Sequence, residues 1–204
     1  MKTIDEILSE NSGIKLDIGC GANKMPGFVG MDYRPLPGVD IVQNVEQFPW
    51  PIPNESVNFA MTSHLLEHLN PHPGDARVQP LVELLLSKNI LTKEDVAEKI
   101  GEYNAQPVFM RFMDEVWRIM KYDGEFISVF PYAGSQGFWQ DPTHINGINE
   151  ITFTYFDPLD EGTGGQLYRI YKPKPWKIKY QSFQKQGFME VVLIKRREDP
   201  SYNE

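Results

Sequence analysis

Leu16-Asp17-Ile18-Gly19-Cys20-Gly21, followed by Val29-Gly30-Met31-Asp32, is the stretch from which the rest of the chain is best read. An apolar strand runs into Asp-x-Gly-x-Gly, and a second strand then closes on a carboxylate. Glycines are required where backbone must approach a ligand closely, because a Cβ would collide. A carboxylate at the end of the second strand has two acceptor oxygens and can take both hydroxyls of a ribose. A dinucleotide site carries Gly-x-Gly-x-x-Gly, so that pyrophosphate settles on a helix N-terminus. Here the third glycine position is Lys24, and that signature fails. A nucleoside-type cofactor without phosphates fits the stretch better.

Further pieces follow in order. Asp40-Ile41-Val42-Gln43-Asn44-Val45 precedes Phe48-Pro49-Trp50-Pro51-Ile52-Pro53, and Ser56 to Leu69 ends in Leu66-Glu67-His68-Leu69. Phe109 to Lys121 and Gly124 lead into Phe126-Ile127-Ser128-Val129-Phe130-Pro131. In this order the pieces resemble the class I S-adenosylmethionine (SAM)-dependent methyltransferases of the type 11-like kind. Trp139-Gln140-Asp141-Pro142-Thr143-His144 is similar to the Asp-Pro-Thr-His segment of a small-methyltransferase subgroup. The resemblance covers about residues 14–69 and 107–131. It implies an α/β fold with a Rossmann-like, seven-stranded, mostly parallel sheet whose last strand is antiparallel, with helices on both faces. It also implies SAM as cofactor, held by Asp17, Gly19, Cys20, Gly21, Asp32, Tyr33, Asn44, Val45, Ser63 and His64. Two positions depart from the family pattern. Asn44 stands where the adenine pocket often has Asp, and Asn58 stands where the fourth strand usually has Asp.

The chain has 204 residues, 41% hydrophobic and 24% charged, which is one globular domain's worth of sequence. A net charge of -8 argues against sequence-independent nucleic-acid binding, which works by neutralising phosphates. The lysines at 172, 174, 177 and 179, with Lys195-Arg196-Arg197 later, alternate with apolar residues and read as a solvated strand face. Cys20 is the only cysteine, so no intrachain disulfide can form. Neither a signal peptide nor an apolar run of about 20 residues is present, so a soluble cytoplasmic protein without membrane partners is expected.

Thr3 to Glu10 reads as a short helix with a Thr3/Glu6 capping box. Strands are expected at about 14–18, 28–32, 40–42 and 57–62, with a brief helix after the glycine loop. Asn70-Pro71-His72-Pro73-Gly74 then breaks the chain, and helical patterns follow near 77–88 and 92–103. A structureless loop of that length is improbable, so residues 70–106 read as a helical insertion after strand four. Leu81, Leu84 and Leu85 share a face of its first helix, and Thr92 with Asp95 caps its second. Leaving from the edge where substrate enters in this fold, the insertion is expected to act as a lid or substrate wall. Pro107 opens the next helix, with Phe109, Phe112, Met113, Val116, Trp117 and Met120 on its buried stripe. Trp176 to Phe183 and Met189 to Lys195 read as an antiparallel hairpin.

Ligands of open α/β sheets bind beyond the carboxyl ends of the strands. Methyl transfer is an in-line displacement that needs an aligned nucleophile and, for a hydroxyl acceptor, removal of a proton. Histidine suits that removal near neutral pH. His64 follows strand four directly, and His144 has Asp141 three residues earlier to orient it. His144 is expected to be the base and His64 to position the acceptor, with Glu67 and His68 bracing the turn against the glycine loop. His64-x-x-Glu67-His68 also spells a zinc-protease pattern, but it falls on a strand-to-turn junction, and no metal is expected there. No Asn-Pro-Pro-Tyr follows strand four, where amino-methylating enzymes carry it, and Cys20 lies in the cofactor loop, away from any role as nucleophile. The first reading is therefore O-methylation of a small molecule or saccharide. Two others are open: methyl or alkyl transfer to a nucleotide, base or peptide group, and a non-catalytic cofactor-binding module. The oligomeric state is not legible.

Overall fold

In a computed structural model, which describes residues 4, 6, 7, 13–70, 79–95, 107–184 and 186–203, the chain builds one seven-stranded sheet. Strand β1 (Ile14–Ile18) lies inside it, paired in parallel with β2 (Val29–Asp32) on one side and β4 (Val57–Ser63) on the other. Its run Ile-Lys-Leu-Asp-Ile is buried at all but one residue, as a strand covered on both faces should be. Outward lie β3 (Ile41–Val42) beyond β2 and the long β5 (Met120–Pro131) beyond β4, both parallel. The hairpin β6 (Trp176–Phe183) and β7 (Phe188–Lys195) completes the sheet, with β7 inserted antiparallel beside β5, so the order is β3-β2-β1-β4-β5-β7-β6. The strand order reverses between β1 and β4, the switch point where such sheets open a crevice for ligands. The expected sheet is the observed one.

Among the described residues, the helices with assigned bounds are α1 (Gln79–Ser87), α2 (Val108–Ile119), the single turn α3 (Gln136–Trp139) and α4 (Thr163–Tyr171). Pro107 precedes α2, whose first-turn N–H groups have no intrahelical acceptor, so a proline there sacrifices no bond. Phe112, Met113, Val116, Trp117 and Met120 are buried as the three/four spacing requires, with Phe109 half-buried at the edge. Phe112 stands between the Trp50 and Phe126 rings, at 5.4 and 6.4 Å, and ties α2 to both the sheet and the Phe48–Pro53 stretch. Trp50 in turn donates its backbone N–H to the buried carboxylate of Glu115, which also holds Arg118 at 2.6 Å.

Some expectations need correction. Residues 19–28 make only turns, so the brief helix after the glycine loop is absent. After β4 the family's helix is cut to one 3-10 turn, Leu66–His68, because Asn70-Pro71 cannot continue it. Residues 79–87 of the insertion are helical, and Thr92 and Asp95 cap each other reciprocally at the start of a second turn; the rest of that second helix lies outside the described residues. Of the N-terminal helix only positions 4, 6 and 7 are described, and they are helical; Thr3 of its expected cap is outside them. Lys195 is the clearest departure from the solvated-face reading. The β7 pleat turns it inward, where it is 2% exposed, donates to the Met120 carbonyl at 2.8 Å and sits 4.0 Å over the Trp117 ring. Burial lowers its pKa, partly countered by Glu55. Among the described residues no helix is long and apolar enough to cross a membrane.

Phe112→Ala should remove the contact shared by α2, β5 and Trp50. Urea unfolding should lose about 3–5 kcal/mol, the usual cost of truncating a fully buried phenylalanine.

Candidate active site

Two groups of side chains meet at the carboxyl ends of the parallel strands. The first belongs to β1 and β2. Gly19 and Gly21 take left-handed backbone, φ 74° and 56°, which a residue with a Cβ adopts only at a cost. A Cβ on Gly19 would also lie 3.1 Å from the Leu65 side chain, so the loop after β4 closes directly onto the glycine loop. Both Gly19 and Cys20 donate N–H to the Met31 carbonyl. Asp32 then locks the turn from the other side: one oxygen accepts the Gly21 N–H at 2.9 Å, and the other accepts the Arg34 N–H at 2.9 Å. Arg34 also brings its Nε within 3.3 Å, on a side chain about half exposed. Asp17, nearly buried, accepts the Met25 N–H and holds the far end of the same loop; burial pushes its pKa up. Cys20 lies in the loop with its thiol raised to about 11, burial being the main cause and the two carboxylates adding to it.

The remaining residues expected around a cofactor are distributed along the same edge. Tyr33 is exposed, with the Arg34 guanidinium 5.2 Å from its ring centroid. Asn44 turns its Oδ1 onto the Glu46 N–H, while Val45 is buried and offers its carbonyl to the Trp50 indole. Ser63 ends β4 opposite Val129. Lys24, at the position that excludes a dinucleotide motif, pairs with Asp40 at 2.7 Å and covers Gly30.

No family model matches the chain, and no curated protein matches it in sequence. Solved structures do match. A SAM-dependent methyltransferase from Archaeoglobus fulgidus superposes with a TM-score of 0.51 at 12% identity, covering 95% of this chain and 95% of that one. A SAM-dependent methyltransferase from Thermotoga maritima, described as a possible histamine N-methyltransferase, gives 0.51 at 12% identity over 91% and 83%. The fold is that of the SAM-dependent methyltransferases. At this identity the likeness is one of architecture, and the role of each side chain rests on its own surroundings.

The second group lies beyond β4 and β5. His64 adopts left-handed backbone, φ 53°, and donates its N–H to Val129 at 2.9 Å, which turns its ring away from the sheet. A non-glycine residue held there marks a strained position of the kind found at functional sites. The ring sits edge-on against Phe188 at 4.9 Å, with Nδ1 3.3 Å from Glu67 Oε1. The alignment falls short of a hydrogen bond, and both Glu67 carboxylate oxygens are left without one although the residue is fully buried. Interaction with Glu67 raises the pKa of His64, against an opposing effect of burial. His144 reaches the same place from the segment after β5. Its Nδ1 is 2.8 Å from the Phe138 carbonyl and its ring 4.7 Å from that of His68. A cavity of about 260 Å³ opens here, lined by His64, His68, Gln140, Asp141, His144 and Phe188. A larger hollow of about 590 Å³ beside Tyr168, Lys174 and Glu198 lacks histidines and stands apart from this edge.

Two sequence expectations change here, and one residue enters that the sequence did not point to. Asp141 does not orient His144: its Oδ1 takes the N–H and hydroxyl of Thr143 at 2.8 and 2.7 Å, and its Oδ2 stands 3.7 Å from His144 Nε2. It therefore faces the nitrogen that a base needs free, while Phe138 fixes the other. Glu67 and His68 do not brace the glycine loop; Leu65 does that, and these two face His144 instead. Asn146, which sequence reasoning passed over, holds the arrangement. It donates its backbone N–H to Glu67 O at 3.0 Å and its side-chain amide to the carbonyls of Leu66 and Leu69. An Asn five residues beyond an Asp-Pro turn carries no sequence signal of such a long-range bond.

The Cys20 thiol gives a direct check on the loop. With a pKa near 11 its thiolate fraction at pH 8 is about one in a thousand. Iodoacetamide should label the native chain slowly at pH 8, with a rate rising about tenfold per pH unit toward 10, while the urea-unfolded chain reacts readily. Mass spectrometry of timed samples reads both.

Proposed function

We propose that the protein is a SAM-dependent methyltransferase acting on a hydroxyl of a small molecule or saccharide. One observation carries the reading: the Gly19–Gly21 turn closed by Asp32 and the histidine-lined cavity after β4 and β5 lie on the same edge of a methyltransferase-type sheet. The cofactor's ribose would exchange with Arg34 for the Asp32 carboxylate. Its adenine would lie toward Asn44 and Val45, past the exposed Tyr33, and its methionine end would follow Asp17 and Ser63 toward His64. The absence of a phosphate-binding third glycine supports an adenosyl ligand over a dinucleotide, since Lys24 fills that place.

Of the two histidines, His64 is the better base. Its Nδ1 faces a buried carboxylate, which favours the Nδ1–H tautomer and stabilises the charge that forms when Nε2 takes a proton. Its side chain is 44% exposed toward the cavity, whereas that of His144 is 8% exposed. His144 and Asp141 belong to the wall against which the acceptor rests. We assign α1, which follows β4 in the chain, the role of a lid on the acceptor side. Methyl transfer itself needs only alignment of the acceptor oxygen behind the sulfonium methyl, so the histidine adds proton removal and the cavity adds orientation.

Calorimetry should show S-adenosylhomocysteine binding with one site per chain. Asp32→Ala should weaken it about 10- to 100-fold, the loss of charged hydrogen bonds worth about 1.5–3 kcal/mol. Binding of NAD in place of S-adenosylhomocysteine would overturn the cofactor assignment.

A screen of hydroxylated metabolites with radiolabelled SAM identifies the acceptor. With it, His64→Ala should lower kcat by about 100- to 10,000-fold and leave S-adenosylhomocysteine affinity within a few-fold. Full turnover by that variant would remove His64 from the base role.

A further inference from the structure

The cluster behind the cavity has a feature that proton removal leaves unexplained. Glu67, His68 and His144 each offer one ligand atom, and the three atoms all lie within 4.8 Å of one another. Glu67 is fully buried with neither carboxylate oxygen hydrogen-bonded. A carboxylate removed from water without donors is costly, and in folded proteins such groups are paired or bind a metal. His64 approaches one oxygen at 3.3 Å without hydrogen-bond alignment, which leaves the deficit standing.

Both imidazoles are prepared for a ligand. The Phe138 carbonyl can only accept, so His144 carries its proton on Nδ1 and keeps a lone pair on Nε2. His68 Nδ1 lies 3.3 Å from the Thr143 carbonyl and 3.1 Å from the Thr143 hydroxyl, whose own proton goes to Asp141 at 2.7 Å. That arrangement again puts the proton on Nδ1. Histidines that ligate metals almost always donate their other N–H to a carbonyl or carboxylate, which fixes tautomer and ring orientation.

We propose that Glu67, His68 and His144 bind one divalent transition-metal ion. His144 Nε2 stands 4.0 Å from Glu67 Oε1 and 3.7 Å from Asp141 Oδ2. Bonds of about 2.1 Å from each atom to a shared ion place ligand atoms about 3–4 Å apart, so small side-chain movements complete the site. Two imidazoles and a carboxylate suit Zn²⁺ and its first-row neighbours, whereas Mg²⁺ and Ca²⁺ prefer all-oxygen shells. His68, Asp141 and His144 line the cavity, so the ion's remaining positions open toward it. An ion held by these residues would lower the pKa of an acceptor hydroxyl, and His64 would then remove a more acidic proton. Binding of the ion rests on the cluster alone; its use in catalysis rests on the methyltransferase reading.

The test is Co²⁺ titration of the full chain after removal of metal with EDTA, followed by visible absorption and by displacement with Zn²⁺. The expected result is one Co²⁺ per chain with a dissociation constant in the micromolar range or below. His68→Ala and His144→Ala should each weaken it at least about 10-fold, since even partners of ligating groups cost that much. Glu67→Gln should do the same, and because it alters a buried charge, circular dichroism should first show its fold intact. His68 is only half-buried, so His68→Ala keeps the test decisive if Glu67→Gln does not fold. No saturable binding, or binding unchanged in His68→Ala and His144→Ala, overturns the site. S-adenosylhomocysteine binding by the metal-free chain is read in parallel. If that is intact while Co²⁺ binding is absent, the ion site alone falls; if Co²⁺ binds while S-adenosylhomocysteine does not, the methyltransferase reading alone falls.

Discussion

The carbonyls of one short turn hold this site together. Leu66–His68 is too brief to satisfy its own backbone acceptors, and Asn70-Pro71 stops it from growing into a helix that would. Its free acceptors are taken from a distance: Ile145 and Asn146 donate their N–H groups to Glu67, and the Asn146 side chain bridges Leu66 and Leu69. A buried carbonyl left unpaired is costly, so the segment after β5 is drawn back across the end of β4. That return brings His144 to His68 and Glu67, and closes the cavity beneath Gln140 and Asp141. A longer helix after β4 would consume those carbonyls internally and leave the second segment without a dock.

The same economy operates at the glycine loop. With turns in place of a helix over residues 19–28, no helix N-terminus is there to receive phosphates, and the loop is held by two carboxylates instead. Asp17 takes the far end through Met25 and Asp32 takes the near end through Gly21. Asp32 thereby locks the turn from within, and Arg34, half exposed, covers its outer oxygen. Leu65 packs against Gly19 and joins the two halves of the site, so the turn after β4 is placed by the cofactor loop on one side and by Asn146 on the other.

Behind this edge the sheet is carried by aromatic packing. Phe112, Phe126, Phe130, Phe153, Phe156 and Trp176 are all buried, and Trp176 and Phe126 meet at 6.0 Å across β5, β7 and β6. Lys195 belongs to this packing: its charge is held by one carbonyl and two aromatic faces, Trp117 at 4.0 Å and Tyr122 at 4.3 Å. A buried lysine with such partners explains how a basic residue ends the largely apolar run from Val191 to Ile194.

The sequence by itself determined the sheet, the order of its pieces and the turn of the glycine loop. Strand identity follows from short apolar runs bounded by Gly, Pro and Asn, and the glycine loop is written in adjacent residues, so local rules suffice. Helix α2 was equally legible, because its apolar stripe repeats at the helical period. What only the tertiary structure decided involves residues far apart in the chain. The meeting of Glu67 and His68 with His144 depends on where a segment some 80 residues on returns, and on Thr143 and Phe138 claiming groups that spacing had assigned elsewhere. The inward turn of Lys195 depends on which face of β7 meets α2, and alternation alone cannot choose between the two faces of a sheet covered on both sides.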